Sequence, residues 1–421
     1  MVDSAEFNRR GGGFRALSAD FIQVLERVLA KGTIKRKVLV KLTSIKNNDL
    51  LLQNIDPDET FPTSYQELEA VAKEKMSTGA FGYVQSGAGG EETLVKNESS
   101  FSKYAIVPRF LNDVSALDTS IRLFGRTYKT PLMIAPVGMQ KIAHEDGDIA
   151  TAKAAAKFGM PFIQSTVSSY SIEEIAEATG DSPKWFQVYW TSQNDEISFS
   201  MVKRAEDAGY EAIVLTVDTV MLGWREEDVR NQYSPLMQGF GKANYETDPV
   251  FQSTLPANDF DSVIQAIVDN VYHPQLDWAK VAELKKRTSL PVLLKGILHP
   301  EDAKLAVANG IDGIIVSNHG GRQLDGVISS IDALPVIAEA VDGAIPILFD
   351  SGIRRGSDIV KAIALGADAV CIGRPFVYGL AAGGQKGVEQ VLENLYQEMS
   401  VTLSLSGVTN LKDIRELVIL D

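Results

Sequence analysis

One local pattern recurs along the chain and constrains its fold more than any other feature: an alanine-rich helical stretch, a glycine, then a short apolar run. Ala155-Ala156-Lys157-Phe158-Gly159 precedes Pro161-Phe162-Ile163-Gln164, and Ala205-Glu206-Asp207-Ala208-Gly209 precedes Ala212-Ile213-Val214-Leu215. Ala306-Val307-Ala308-Asn309-Gly310 precedes Gly313-Ile314-Ile315-Val316, and Ala362-Ile363-Ala364-Leu365-Gly366 precedes Ala369-Val370-Cys371-Ile372. A helix closed by a left-handed glycine that hands over to a fully buried strand is the repeating unit of a parallel sheet. The runs Leu132-Met133-Ile134-Ala135, Trp185-Phe186-Gln187-Val188-Tyr189, Val292-Leu293-Leu294-Lys295 and Pro346-Ile347-Leu348-Phe349 bring the strands to eight. Eight parallel strands, most spaced by one β/α unit, predict an α/β fold closed as a (β/α)8 TIM barrel.

The spacing breaks once. The stretch from Val217 to Val292 is too long for one crossover, and residues 233–272 mix Asn, Asp, Pro and aromatic residues. It reads as a long loop after strand 4, an excursion over the active face with residues 226–276 as a candidate lid. Ahead of the barrel, Thr63-Ser64-Tyr65-Gln66-Glu67-Leu68 has the form of a capped helix start. Ile121 to Lys129, centred on Gly125-Arg126, has the form of a hairpin closing the barrel floor. Residues 1–60 are set apart as an N-terminal helical extension and 61–421 as the barrel domain. The first 48 residues carry ten Lys and Arg against four Asp and Glu, so they are about +6 while the remainder is about −20. This segment reads as a peripheral or oligomer-contacting extension. A mitochondrial presequence is the alternative, weakened by Asp3, Glu6 and Gly11-Gly12-Gly13.

With 421 residues, 45% of them hydrophobic, the chain can bury one large core and carry an appendage. A net charge of −14 disfavours nucleic acid as a partner. The single cysteine, Cys371, lies within an apolar run, which excludes internal disulfides and cysteine-ligated metal; no metal is expected. No secretory signal is apparent and no apolar run approaches the roughly 18 residues of a membrane span, so a cytoplasmic protein is expected.

The chemistry concentrates in Ser317-Asn318-His319-Gly320-Gly321-Arg322-Gln323-Leu324-Asp325. Because this follows the apolar run ending at Val316, His319 and Arg322 fall just beyond the carboxyl end of a buried strand, where barrel enzymes act. A titratable imidazole, two glycines that admit a ligand to the backbone and a guanidinium able to grip a carboxylate point to a small anionic substrate. His144, His273 and His299 lie in no motif and read as surface or loop residues, with a place in the lid as the alternative for His273.

Through Ser317-Asn318-His319-Gly320-Gly321-Arg322-Gln323, and from about Phe61 onward, the chain resembles the FMN-dependent 2-hydroxy-acid oxidising family, which includes glycolate oxidase, lactate oxidase and lactate 2-monooxygenase. The resemblance implies FMN as cofactor, a small 2-hydroxy acid and O2 as partners, and a homo-oligomer of four or more subunits. It makes His319 the catalytic base and Arg322 a clamp on the substrate carboxylate. Asp218 resembles the aspartate that pairs with the histidine, with helix capping as its structural alternative. Arg225, in Gly223-Trp224-Arg225, matches a second carboxylate-binding arginine, and Tyr83 and Tyr189 match tyrosines that reach the substrate.

For the cofactor, a buried cation at Lys295 would stabilise the negative charge that a reduced flavin ring develops. Pro136, Val137 and Gly138 are expected to touch the ring through backbone, and Ser165, Gln187, Thr216 and Ser317 to supply polar contacts. The phosphate is expected at Ser351, Gly352, Arg354, Gly373 and Arg374, after strands 7 and 8, with Asp350 on ribityl hydroxyls. Gly138, Gly223-Trp224-Arg225, Asn244-Tyr245, the run Thr247 to Gln252 and Gly383-Gly384-Gln385-Lys386-Gly387 resemble the lactate 2-monooxygenase branch more than glycolate oxidase. That branch converts L-lactate and O2 to acetate, CO2 and water. An oxidase releasing 2-oxo acid and H2O2, or a dehydrogenase with another acceptor, is the alternative. A non-redox barrel binding a phosphorylated metabolite would not need both arginines beside His319.

Overall fold

The computed structural model describes residues 61–420; the expected N-terminal helical extension, with its charge and targeting readings, lies outside them. The four helix-ending glycines have left-handed backbone, with φ of 63° at Gly159, 78° at Gly209, 68° at Gly310 and 121° at Gly366. Side-chain-bearing residues resist that conformation, so each glycine ends its helix and turns the chain into the next strand. The strands are β1 Leu132–Ile134, β2 Phe162–Gln164, β3 Lys184–Val188, β4 Ile213–Thr216, β5 Val292–Ile297, β6 Gly313–Val316, β7 Ile347–Phe349 and β8 Ala369–Ile372. They pair in parallel in chain order, and β8 returns to β1 with Val370 opposite Leu132, which closes the barrel.

The two-residue period of a strand divides each one between two cores. Leu132, Ile134, Phe186, Ile213 and Leu294 face the surrounding helices. Met133, Ile163, Trp185 and Val214, with Leu293, Ile315, Leu348 and Cys371 from the other four strands, fill the barrel interior. At the floor, Ile121–Leu123 and Arg126–Tyr128 form the expected antiparallel hairpin. Its Ile121, Leu123 and Tyr128 join the interior cluster, and the Phe124 ring lies 5.6 Å from that of Trp185. The barrel is thereby plugged at one end and open for chemistry at the other. The expected helix start is present too: Ser64 and Glu67 form a reciprocal capping box at Tyr65–Lys75.

The segment between β4 and β5 is not the long loop that its composition suggests. It folds into helices Glu226–Asn231, Ala243–Glu246, Pro249–Thr254 and Phe260–Val271 before Trp278–Arg287 leads back to the barrel. The residues that read as loop formers act as caps. The Asp248 carboxylate accepts from the amides of Val250 and Phe251, both at 3.0 Å, with Pro249 at the first helical position. Asp259 accepts from the Ser262 amide at 3.0 Å, and Val263, Ile264, Ile267 and Val271 give the helix that follows its buried face. The segment is also pinned down. Fully buried Asn244 donates to the carbonyls of Ser165 at 3.2 Å and Thr166 at 3.0 Å, while Arg204 donates to the Asn244 carbonyl and to Asp248.

Among the described residues no helix is long and apolar enough to cross a membrane.

Candidate active site

Side-chain parity builds the site. Two residues beyond each inward-facing core residue stand Ala135, Ser165, Gln187, Thr216, Lys295, Ser317, Asp350 and Gly373, one from each strand, in a ring at the open end. Ala135, Ser165, Lys295, Asp350 and Gly373 line a cavity of about 440 Å³; Gln187, Thr216 and Ser317 are buried but are not among its lining residues. Ser317, expected as a polar contact to the ring, is fixed in place by two neighbours. Its hydroxyl accepts from the Lys295 ammonium and from the His319 amide, both at 3.0 Å, so it braces those two residues.

After β6 the chain makes a tight turn in which His319, Gly320 and Gly321 all have positive φ, and this brings the imidazole to the cavity. His319 Nδ1 lies 2.8 Å from Asp218 Oδ1 and 3.3 Å from the Thr219 hydroxyl. Gly296 makes room for Asp218, since a Cβ there would come within 2.6 Å of the aspartate side chain. Behind the turn, the Asn318 and Asn97 side-chain amides bond each other reciprocally at 2.7 and 2.8 Å, tying the signature to helix Glu92–Ser99.

The charges sort themselves. Burial raises the Asp218 pKa, but the His319 and Lys295 charges outweigh it and hold the group at about 2. Burial lowers the His319 pKa; Asp218 opposes the shift, and Lys295 and Arg225 add to it. A neutral imidazole facing an ionised carboxylate carries its proton on Nδ1 and leaves Nε2 unprotonated and able to accept one. Burial likewise works against the Lys295 ammonium, yet Asp350 Oδ2 at 3.5 Å and Asp218 Oδ2 at 4.0 Å leave its pKa raised.

Above this pair lie the two arginines. Arg225 donates through Nε to the Arg322 carbonyl and through Nη2 to Gln323 Oε1, each at 3.1 Å. Arg322 donates through Nη1 to the Ser86 carbonyl at 2.8 Å, and its buried Nη2 has no partner. The Tyr83 ring lies under both, 4.7 Å from Arg322 and 5.9 Å from Arg225. Burial and the nearby Arg225 lower the Arg322 pKa to about 9. Two adjacent buried cations with an unused donor are what a bound carboxylate would satisfy. Tyr189 also lines the cavity, and burial raises its phenol pKa, which keeps it a hydrogen-bond donor.

Pro136, Val137 and Gly138 also line the cavity, as do Ser351, with φ of 83° and its hydroxyl accepting the Gly320 amide at 3.0 Å, and Gly352, with φ of 93°. Gly373 precedes the helix that begins at Arg374. In its first turn Pro375 has no N–H and the Phe376 amide bonds the Gly373 carbonyl at 3.1 Å, so it is the positive end of the helix dipole that suits a phosphate. Arg374 donates to the carbonyls of Val84, Gly320 and Ser86. Arg354 lines the cavity, but its Nε and Nη2 bond Glu98 at 3.1 and 2.7 Å. Its guanidinium thus comes to the site already paired. The buried Gln187 Nε2 has no partner, and with the Lys295 ammonium it fits a ring bearing hydrogen-bond acceptors and negative charge.

Several contributors carried no separate signal in the sequence. Gln323 belongs to the signature, but its role as support for Arg225 depends on a fold that brings residues 98 apart together. Asp228, Tyr233 and Tyr272 line the cavity from the capped segment that composition hid. His273 lies in a loop within residues 226–276, as read, but it is buried and not on the surface: its Nδ1 accepts the Gln275 amide at 3.1 Å. His144 and His299 accept the amides of Asp146 and Glu301 in the same way.

Residues 72–420 match the FMN-dependent dehydrogenase family. The chain belongs to that family. An L-lactate oxidase from Lysinibacillus sphaericus (strain C3-41) is 60% identical over 378 residues, covering 90% of this chain and 98% of the relative. Human 2-hydroxyacid oxidase 1 is 42% identical over 350 residues, covering 83% and 94%. A crystal structure of mandelate oxidase superposes with a TM-score of 0.77 at 40% identity, covering 85% of this chain and 98% of that one. This FMN-dependent dehydrogenase is an oxidoreductase acting on 2-hydroxy acids, with FMN as its cofactor.

Proposed function

We propose that this enzyme oxidises L-lactate to pyruvate and passes the electrons to O2, releasing H2O2. The observation that carries this reading is the 60% identity, over nearly the whole of both chains, to an L-lactate oxidase. Arg225 and Arg322 bind the substrate carboxylate, with Tyr83 and Tyr189 as further hydrogen-bond donors. His319 Nε2 accepts the substrate proton and ionised Asp218 balances the imidazolium that results. Bound FMN supplies a two-electron acceptor whose reduced form reacts with O2. Lys295 would supply a fixed positive charge to the negative charge of a reduced ring, with Gln187, Ser165, Thr216, Ser317 and the Pro136-Val137-Gly138 backbone as its further contacts. Ser351, Gly352, Gly373, Arg374 and Arg354 would hold the phosphate, and Asp350 the ribityl chain.

The monooxygenase outcome is the second reading. It is favoured by the hydrogen bonds through which Asn244 fastens the segment between β4 and β5 to the end of β2, an arrangement that would slow product escape if the segment has to move for release. Aerobic turnover of L-lactate with added catalase separates the two. The oxidase yields pyruvate and no acetate, because catalase removes peroxide before it can attack pyruvate. Acetate and CO2 formed despite catalase would establish the monooxygenase, and failure of anaerobic L-lactate to bleach the flavin would remove lactate as substrate.

A further inference from the structure

Beside the arginine pair the cavity holds a carboxyl group that the reaction above does not use. Asp228 lies in helix Glu226–Asn231 and lines the cavity. Its Oδ2 is 3.9 Å from Arg225 Nη1, beyond hydrogen-bond distance, and its Oδ1 is buried with no hydrogen-bond partner. Arg225 does not depend on it for orientation, since the Arg322 carbonyl and the Gln323 side chain already fix the guanidinium. The field of Asp228 also reaches Arg322, whose Nη2 is the unused donor. Burial raises the Asp228 pKa from its ordinary value, with Glu227 adding to the rise, while Arg322 and Arg225 oppose it and favour the carboxylate; the Tyr233 phenol is the other titratable group that feels it.

An anion near two cations but bonded to neither has a definite physical consequence. With Arg225 and Arg322 alone, the site would present two positive charges to a substrate with one negative charge. Asp228 removes one of those charges and repels an incoming carboxylate at close range, where screening by water is weak. We propose that Asp228 is a built-in competitor at the carboxylate site: it loosens the grip of Arg225 and Arg322 on carboxylates and so speeds departure of the 2-oxo acid product. The inference rests on the reading of those two arginines as the clamp. It deepens that reading by naming what keeps the clamp from holding product.

The test uses the oxidised holoenzyme, with binding read from perturbation of the flavin absorbance. Asp228→Asn lowers the Kd for pyruvate by about five-fold or more, the scale of one partly buried charge interaction, while the Kd for the neutral analogue lactamide stays within about two-fold. Asp228→Glu keeps the charge and leaves pyruvate affinity within about three-fold of the unaltered enzyme. Weaker or unchanged pyruvate binding in Asp228→Asn overturns the inference. So does an equal shift for pyruvate and lactamide, which would mark a purely structural role. Should Asp228→Asn not yield flavin-loaded enzyme, Asp228→Ser provides the neutral side chain and is judged by the same outcomes. Arg225→Lys separates the two levels. If pyruvate affinity is unchanged in it, the clamp itself is refuted; if affinity falls there but does not rise in Asp228→Asn, only the competitor is.

Discussion

His319 and Asp218 show how a base can be kept uncharged beside an acid that stays ionised. Burial favours the neutral imidazole near neutrality; in the acid range where Asp218 would take up a proton His319 is itself charged, and that charge with the Lys295 ammonium overcomes burial and holds the Asp218 pKa at about 2. Because the imidazole pKa is lowered from 6.5, the free base persists below the ordinary histidine range. The acid limb of kcat/KM is therefore expected below pH 6.5, with activity lost as pH falls through the lowered pKa and not as it rises. Asp218→Asn removes the main influence that raises the imidazole pKa, so the limb moves further to acid as the rate drops. A pH–rate profile of the two enzymes checks the direction, and a limb moving toward neutrality would contradict it. His319→Ala is expected to retain FMN yet lose at least about 10²-fold in anaerobic flavin reduction, measured by stopped flow. At this scale His319 and Arg322 were legible, because a motif directly after a buried strand reports its own position. Gln323 was not: its amide holds the carbonyls of Asp218 at 3.2 Å and Met221 at 2.9 Å, partners that sequence spacing does not reveal.

The covering segment shows how composition misleads. Asp, Asn and Pro counted as loop signals, yet Asp248, Pro249 and Asp259 start helices. The same residue types serve both purposes, because a side-chain oxygen that competes with the backbone inside a helix satisfies its free amides at the beginning. Anchoring is a separate matter from helix formation. Asn244 reaches the carbonyls of Ser165 and Thr166, and Arg204 grips the Asn244 carbonyl and Asp248 from the helix that follows β3. Asn244→Leu keeps the bulk and removes both donors to the β2 end. Hydrogen exchange followed by mass spectrometry is expected to speed up across residues 243–254 while the barrel strands stay protected. Unaltered exchange there would show that the segment is held by packing alone.

For the molecule as a whole, the barrel interior supports both the site and the fold. The ring of functional residues stands one period above the layer that contains Trp185, Met133 and Leu293, and the floor hairpin closes that layer from below. Trp185→Ala empties a fully buried site where the strands, hairpin and interior column meet. Loss of about 3–5 kcal/mol is the usual scale for deleting a buried aromatic side chain, and a clear drop in the melting temperature of the FMN-loaded protein is expected. A melting temperature within error of the unaltered protein would mean that the hairpin can collapse into the space.

By itself the sequence determined the features that neighbouring residues decide: where helices stop at glycine, which runs become buried strands, the capping box at Ser64 and the register that turns Lys295 and Asp350 inward. Closure of the eight strands was legible from their number and spacing. The pairing of Asp218 with His319 was implied by the resemblance; only the tertiary structure decided that Gln323 supports Arg225, that Ser317 braces Lys295, and that Asp228 stands without a hydrogen bond beside the arginines. The reason is physical. Local conformation follows from short-range sterics and hydrogen bonding, whereas the charge and partners of a buried group depend on residues that meet only after the barrel has closed.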